Sequence, residues 1–121
     1  MSYPDGLIKQ TIEGQEIIVV DYRNKPEEQL FAIAEALQEM LLAENKPNLR
    51  LVHVKGVDPS SSFRVFLRKM GKTIGHIPSK VAVIGLSPTK RVVMQAYNKM
   101  LGGSMRFYDD EKDGIHYLLT D

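Results

Sequence analysis

Two short stretches hold the residues best suited to chemistry. Ser60, Ser61 and Ser62 follow Asp58-Pro59, and Ser87 and Thr89 flank Pro88 ahead of Lys90 and Arg91. Both read as helix starts, since Ser is a favoured N-cap and Pro fits the first helical position. Backbone N–H groups at such a terminus, joined by hydroxyls and cations, hold anions. Lys90 and Arg91 fall in a first turn, against the helix dipole, and a bound phosphate, lipid head group or acidic peptide would relieve that conflict. Ser60, Ser61, Ser62, Ser87, Thr89, Lys90 and Arg91 are therefore the candidate ligand-binding residues. Capping alone also accounts for a serine at either start, at about 1 kcal/mol.

The charge pattern points the same way. Residues 59 to 108 contain no Asp or Glu, yet hold Arg64, Arg68, Lys69, Lys72, Lys80, Lys90, Arg91, Lys99 and Arg106. Acids flank the block, with Glu27, Glu28, Glu35, Glu39 and Glu44 before it and Asp109, Asp110, Glu111 and Asp113 after it. Arg64, Arg68 and Lys72 are spaced i, i+4, i+8 and share one stripe of a helix. Like charges at that spacing destabilise an isolated helix by roughly 0.2–0.5 kcal/mol per pair. The plainest expectation is that the acidic and basic helices face each other and neutralise. The alternative is an exposed basic face for an anionic partner.

Other chemistries are disfavoured. The chain has no Cys, so disulfides and thiolate metal sites are excluded. His53, His76 and His116 match no metal spacing, and neither a metal nor a cofactor is expected. Asp21 would meet His53 if their strands pair, giving an acid-oriented histidine. No nucleophile is placed to use that pair, so no catalytic residue is assigned. Nucleic acid is disfavoured, because the basic block lacks the aromatic signature, zinc spacing and arginine-rich tail of such binders.

The elements that position these residues follow from periodicity. At 121 residues, 43% hydrophobic and 26% charged, with a formal net charge of +1, the chain has the composition of one compact soluble domain, 1–121. No apolar run approaches the roughly 20 residues of a membrane span, and the N-terminus has no signal-peptide pattern. A cytoplasmic location is the expectation. Residues 7–13 and 16–22 read as strands joined by a Gly14-Gln15 turn of type II′. Residues 26–45 read as a helix with Pro26 first, capped by Asn24 or Lys25. A strand over 50–56, a helix opened by Ser60 and stopped by Gly75, and a buried strand over 81–86 follow. The next helix starts at Ser87-Pro88, with Val93, Ala96, Tyr97, Met100 and Leu101 as its apolar stripe and Gly102-Gly103 as its stop. A strand over 105–108 and a short helix capped by Asp110 close the chain. The order β-β-α-β-α-β-α-β-α demands parallel crossovers. The expected class is α/β: one mostly parallel sheet with an antiparallel edge hairpin.

That order, carried by Lys80-Val81-Ala82-Val83-Ile84-Gly85 through Arg91 and by Met105-Arg106-Phe107-Tyr108-Asp109-Asp110, resembles the STAS fold of bacterial anti-sigma-factor antagonists. It looks most like the small stand-alone STAS-like proteins, related in fold to the lipid-binding CRAL-TRIO domain. The resemblance implies a bacterial, non-enzymatic regulatory module. The antagonists carry a phosphorylatable serine in an Asp-Ser-Ser-Gly stretch, and the matching place is Asp58-Pro59-Ser60-Ser61-Ser62. Here Pro59 is inserted and the Gly is missing. Ser60 or Ser61 would be the phosphorylated residue.

The expected function is recognition of an anionic protein, a phosphorylated ligand or a lipid, at the edge formed by turns 57–62 and 85–91 with Arg64, Arg68 and Lys72 alongside. The alternatives are a small enzyme acting on a phosphorylated metabolite at that edge, and a homodimer built on acidic–basic helix pairing.

Overall fold

The computed structural model describes residues 3–100 and 105–120, with the side chains of Tyr97 and Met100 left out. The expected stop at Gly102-Gly103 and the expected core position of Leu101 lie outside the described residues. The order is β1 (Leu7–Ile12), β2 (Gln15–Asp21), α1 (Glu27–Glu44), β3 (Asn48–His53), α2 (Ser61–Ile74), β4 (Ser79–Ile84), α3 (Pro88–Met100), β5 (Met105–Tyr108) and α4 (Glu111–Leu119). The strands form one sheet in chain order, β1-β2-β3-β4-β5. β1 and β2 pair antiparallel, and the remaining pairs are parallel. This is the α/β architecture expected from the sequence.

Right-handed crossovers that all step in one direction put α1, α2 and α3 on the same face of the sheet. Strand alternation then sorts the core into two layers. Ile18, Val20 and Tyr22 pack with Leu30, Ile33, Ala34, Leu37 and Leu41 of α1 and with Phe63, Met70 and Ile74 of α2. Phe63 is 1% exposed and meets Tyr22 and Phe31 edge to face, at ring separations of 5.7 and 5.1 Å. On the opposite face Ile17, Leu51, Ala82 and Ile84 pack against Leu118 of α4. Gly114 lets α4 lie close to the sheet: a Cβ there would stand 2.6 Å from Ile84 Cδ1.

Several boundaries differ from the sequence reading. The hairpin turn is Glu13-Gly14, because Ile12 pairs with Gln15. Both turn residues have positive φ, 50° and 78°, as a type I′ turn requires, so the expected Gly14-Gln15 type II′ turn is corrected. Pro26 is the N-cap of α1 rather than its first residue, and no side chain caps that helix. β3 starts at Asn48 and stops at His53, and β4 starts at Ser79 and stops at Ile84, where Gly85 turns the chain with φ 91°.

The largest difference concerns α3. Val93 is 64% exposed, its neighbour Val92 is 66% exposed, and Ala96 is exposed as well. The helix turns Arg91, Met94 and Asn98 inward instead. Asn98 fixes that rotation, because its side chain donates to Met105 O at 3.0 Å and accepts from Met105 N at 3.2 Å. Periodicity shows that an apolar stripe exists, and the polar bonds of Asn98 decide which way it faces.

Candidate functional site

Because β2, β3, β4 and β5 are parallel, their following loops emerge at one rim. The final row across the sheet is Asp21, His53, Ile84 and Tyr108. Backbone bonds continue past it: Tyr22 N–H donates to His53 O, Val54 N–H to Ile84 O and Gly85 N–H to Tyr108 O, each at 3.0 Å. Turns 57–62 and 85–91 therefore lie side by side. Lys90 of α3 bridges them, donating from Nζ to Val57 O at 3.1 Å and lying 3.6 Å from Asp58 Oδ1. Gly85 makes this closeness possible, since a Cβ on it would stand 2.6 Å from Lys55 Cβ and 3.0 Å from Lys55 Cα.

Each candidate serine has a structural partner. Ser60 caps α2, accepting from Phe63 N–H at 3.1 Å, and its hydroxyl donates to the Glu27 carboxylate. Ser61 is exposed, and its Oγ accepts from Arg64 Nη2 at 3.2 Å. Ser62 is exposed in the same turn. Ser87 caps α3 more loosely, with Lys90 N–H donating to its Oγ at 3.4 Å. Thr89 is exposed.

The two cations of the α3 first turn meet acids. Lys90 has Asp58, and Arg91 Nη2 reaches Asp109 Oδ1 at 2.6 Å. The conflict with the helix dipole is thus relieved by carboxylates of this chain, where the sequence reading gave that task to a bound anion.

The rim also holds a cavity of about 400 Å³ between the loop after β2 and the loop after β3. Tyr22, Asn24, Lys25, Glu27, Asp58 and Ser60 are among its lining residues. Lys25 lines it together with Glu27 and Asp58, so the cavity mixes both signs of charge. Burial pushes the Tyr22 hydroxyl above its usual range and keeps it neutral. The residue patterns point only to the loops after β3 and β4, and Tyr22, Asn24, Lys25 and Glu27 come to the rim from the loop after β2. The available signal was that β2 also runs parallel to β3, which sends its loop to the same rim.

Asp21 and His53 are register partners, but each is committed elsewhere. Arg23 grips Asp21 through Nε and Nη2, both at 2.9 Å, and through its backbone N–H at 3.0 Å. Those bonds hold the Asp21 carboxyl down at about 2, although partial burial works against them. His53 is buried, and its Nε2 lies 3.0 Å from Glu111 Oε1 at the start of α4. The expected Asp21–His53 pair is replaced by two links, one within the end of β2 and one from β3 to α4.

On α2 the residues Arg64, Arg68, Lys69 and Lys72 are all exposed. Phe63, Met70 and Ile74 fix this rotation by filling the opposite face. Among the described residues no ion pair reaches any of the four cations. α1 packs beside α2, with Phe31 against Phe63 and Phe66. Its Glu28, Glu35 and Glu39 point to solvent, and none of them is in an ion pair among the described residues. The expected neutralisation between the two helices is therefore absent there, because the contact between them is aromatic.

A sheet in strict chain order, with an antiparallel first hairpin and a closing helix on the reverse face, is the STAS-like fold. One similar solved structure is that of an uncharacterized protein of the DUF3478 family with a SpoIIAA-like fold, from Shewanella loihica. It matches with a TM-score of 0.67 and 17% identity, over 93% of this chain and 91% of that one. Another is an anti-sigma-factor antagonist (STAS) domain protein from Planctomyces limnophilus, with a TM-score of 0.54 and 16% identity, over 91% of this chain and 96% of that one. No protein-family model matches the sequence, and no curated protein matches it. Among the described residues, no helix is long and apolar enough to cross a membrane.

Proposed function

We propose that the chain, 1–121 as one unit, is a non-enzymatic binding module that docks an anionic partner on the outer face of α2. The observation that carries this reading is the exposed row of Arg64, Arg68 and Lys72, with Lys69 at its edge, which no carboxylate among the described residues pairs. Turns 57–62 and 85–91 form the border of the face at the α2 N-terminus. Ser61, Ser62, Ser87 and Thr89 offer exposed hydroxyls there, whereas Lys90, Arg91 and Ser60 hold the turns in place. The non-enzymatic part is supported by Asp21, whose two carboxylate oxygens both accept from Arg23, and by His53, whose Nε2 is held by Glu111.

Of the two candidate phosphorylation sites, Ser61 is the better placed. A phosphate there would sit in the first turn of α2 beside Arg64, where both the helix dipole and the guanidinium favour it. On Ser60 it would face Glu27. Phosphorylated Ser61 would occupy Arg64 and weaken docking. Mass spectrometry of protein from its native source would show a phosphate on Ser61, and an unmodified Ser61 under all growth conditions would end this part of the reading.

A lipid surface is a second reading, favoured by one observation. α3 exposes Val92, Val93 and Ala96 between Lys90 and Lys99, a pattern suited to an apolar layer with anionic head groups.

The test uses a polyglutamate peptide and, separately, phosphatidylglycerol vesicles, both at low ionic strength. The wild-type chain should bind the peptide, lose it as salt rises, and lose it in the variant R64E/R68E/K72E. Vesicle binding that also falls on V92S/V93S would support the lipid reading. A wild-type chain that ignores both probes at low salt would overturn the proposal.

A further inference from the structure

The basic face of α2 has a counterpart on the same molecule. Glu28, Glu35 and Glu39 form an acidic row on the outer face of α1, directly beside α2. The two helices run parallel, since each connects parallel neighbours in the sheet. Their early turns meet through Phe31, Phe63 and Phe66.

From this arrangement we infer that a second copy of this chain docks on the α2 face through its own α1. The inference rests on the reading of α2 as a docking face for anions and names the partner. Side-by-side parallel helices of opposite charge are self-complementary under one kind of two-fold axis. An axis along the helices lays α1 of each copy over α2 of the other, so acid meets base twice. An in-plane axis across the helices lays acid on acid and base on base, and repulsion rejects it.

The rows are also of similar length. Glu28 to Glu39 spans about 16 Å and Arg64 to Lys72 about 12 Å at 1.5 Å per residue, a mismatch within the reach of Arg and Lys side chains. Each face adds one exposed aliphatic side chain, Leu42 on α1 and Val65 on α2, both 41% exposed. Such a polar contact is reversible and salt-sensitive, because exposed charge pairs are screened.

Sedimentation velocity over a range of protein concentrations tests it. The wild-type chain should associate at low ionic strength and shift to monomer at high ionic strength. R64E/R68E/K72E and E28K/E35K/E39K should each be monomeric, because each carries two helices of like sign. Mixing the two variants should restore a dimer, since one is acidic and the other basic on both helices. All six positions are exposed, so both variants should keep the fold, and a circular dichroism spectrum unlike that of the wild-type chain would disqualify a variant from the test. A wild-type chain that stays monomeric throughout, or a mixture that fails to associate, overturns the inference. Polyglutamate binding separates the two levels. If wild type is monomeric yet binds the peptide through α2, docking stands and the second copy is excluded. If the peptide and the phosphatidylglycerol vesicles are also ignored, both readings fall.

Discussion

Gly85→Ala probes the contact on which the shared rim depends. Three contributions set its cost. The positive φ of Gly85, 91°, is disfavoured for an L residue by roughly 1–2 kcal/mol. The new Cβ would stand 2.6 Å from Lys55 Cβ and 3.0 and 3.1 Å from Lys55 Cα and N. Two of those atoms are backbone, so the strand ends must separate, and overpacking of this kind costs about 1–3 kcal/mol. Loss of glycine freedom in the unfolded chain returns about 0.4–1 kcal/mol. The net expectation is a loss of about 2–4 kcal/mol, a sizeable share of the roughly 5–15 kcal/mol typical of a domain.

Gly14→Ala is the internal control. Gly14 has φ 78° and nothing within 4 Å of the added Cβ, so it suffers the conformational cost alone, about 1 kcal/mol or less after the unfolded-state gain. Urea titrations followed by circular dichroism measure both variants, with an unchanged slope as the condition for comparing midpoints. Gly85→Ala should fall further than Gly14→Ala by about 1–3 kcal/mol. Equal midpoints for the two variants would show that Lys55 and Gly85 are not in close contact, and the shared rim would lose its physical basis.

Three further outcomes are expected. Asp21 titrates near 2 in the folded chain and near 3.9 when unfolded, so its contribution is complete above about pH 4 and lost as pH falls toward 2. After discounting for solvent screening the loss is about 1 kcal/mol, and Asp21→Asn should flatten the stability profile in that window, read by urea midpoints from pH 6 to 2. Ser60→Ala removes the side-chain cap of α2 and should cost about 1 kcal/mol in the same assay. Phe63→Ala empties the junction of Tyr22, Phe31 and the sheet and should cost about 3–5 kcal/mol, with a loss below 1 kcal/mol refuting the packing described.

The sequence makes the architecture legible because its signals are local and repeated. Strong β-branched runs such as Ile17 to Val20, and caps such as Ser60 and Asp110, mark elements without tertiary information. The failures occur where distant partners decide. Glu13 takes a positive φ so that Ile12 can pair with Gln15, and nothing in the local pattern forbade the neighbouring turn. The rotation of α3 depends on Asn98 finding the Met105 backbone, a bond between residues in separate elements. At the site, composition shows an acid-free basic block but not that Asp58 and Asp109 return to answer Lys90 and Arg91. The stripe of Arg64, Arg68 and Lys72 is legible from spacing alone, and only the fold shows that its acidic neighbour turns parallel to it rather than toward it.

A sheet laid down in the order of the chain has a consequence for assembly. No strand has to be threaded between two that are already paired, so each crossover unit adds to a growing free edge that begins at the first hairpin. The reverse face waits for α4, nine residues that follow the fifth strand and bring Leu118 to cover Ile17, Leu51, Ala82 and Ile84. Amide exchange should therefore be slowest in the central strands β2 and β3 beneath α1, and fastest in α4, the one helix that covers the reverse face among the described residues.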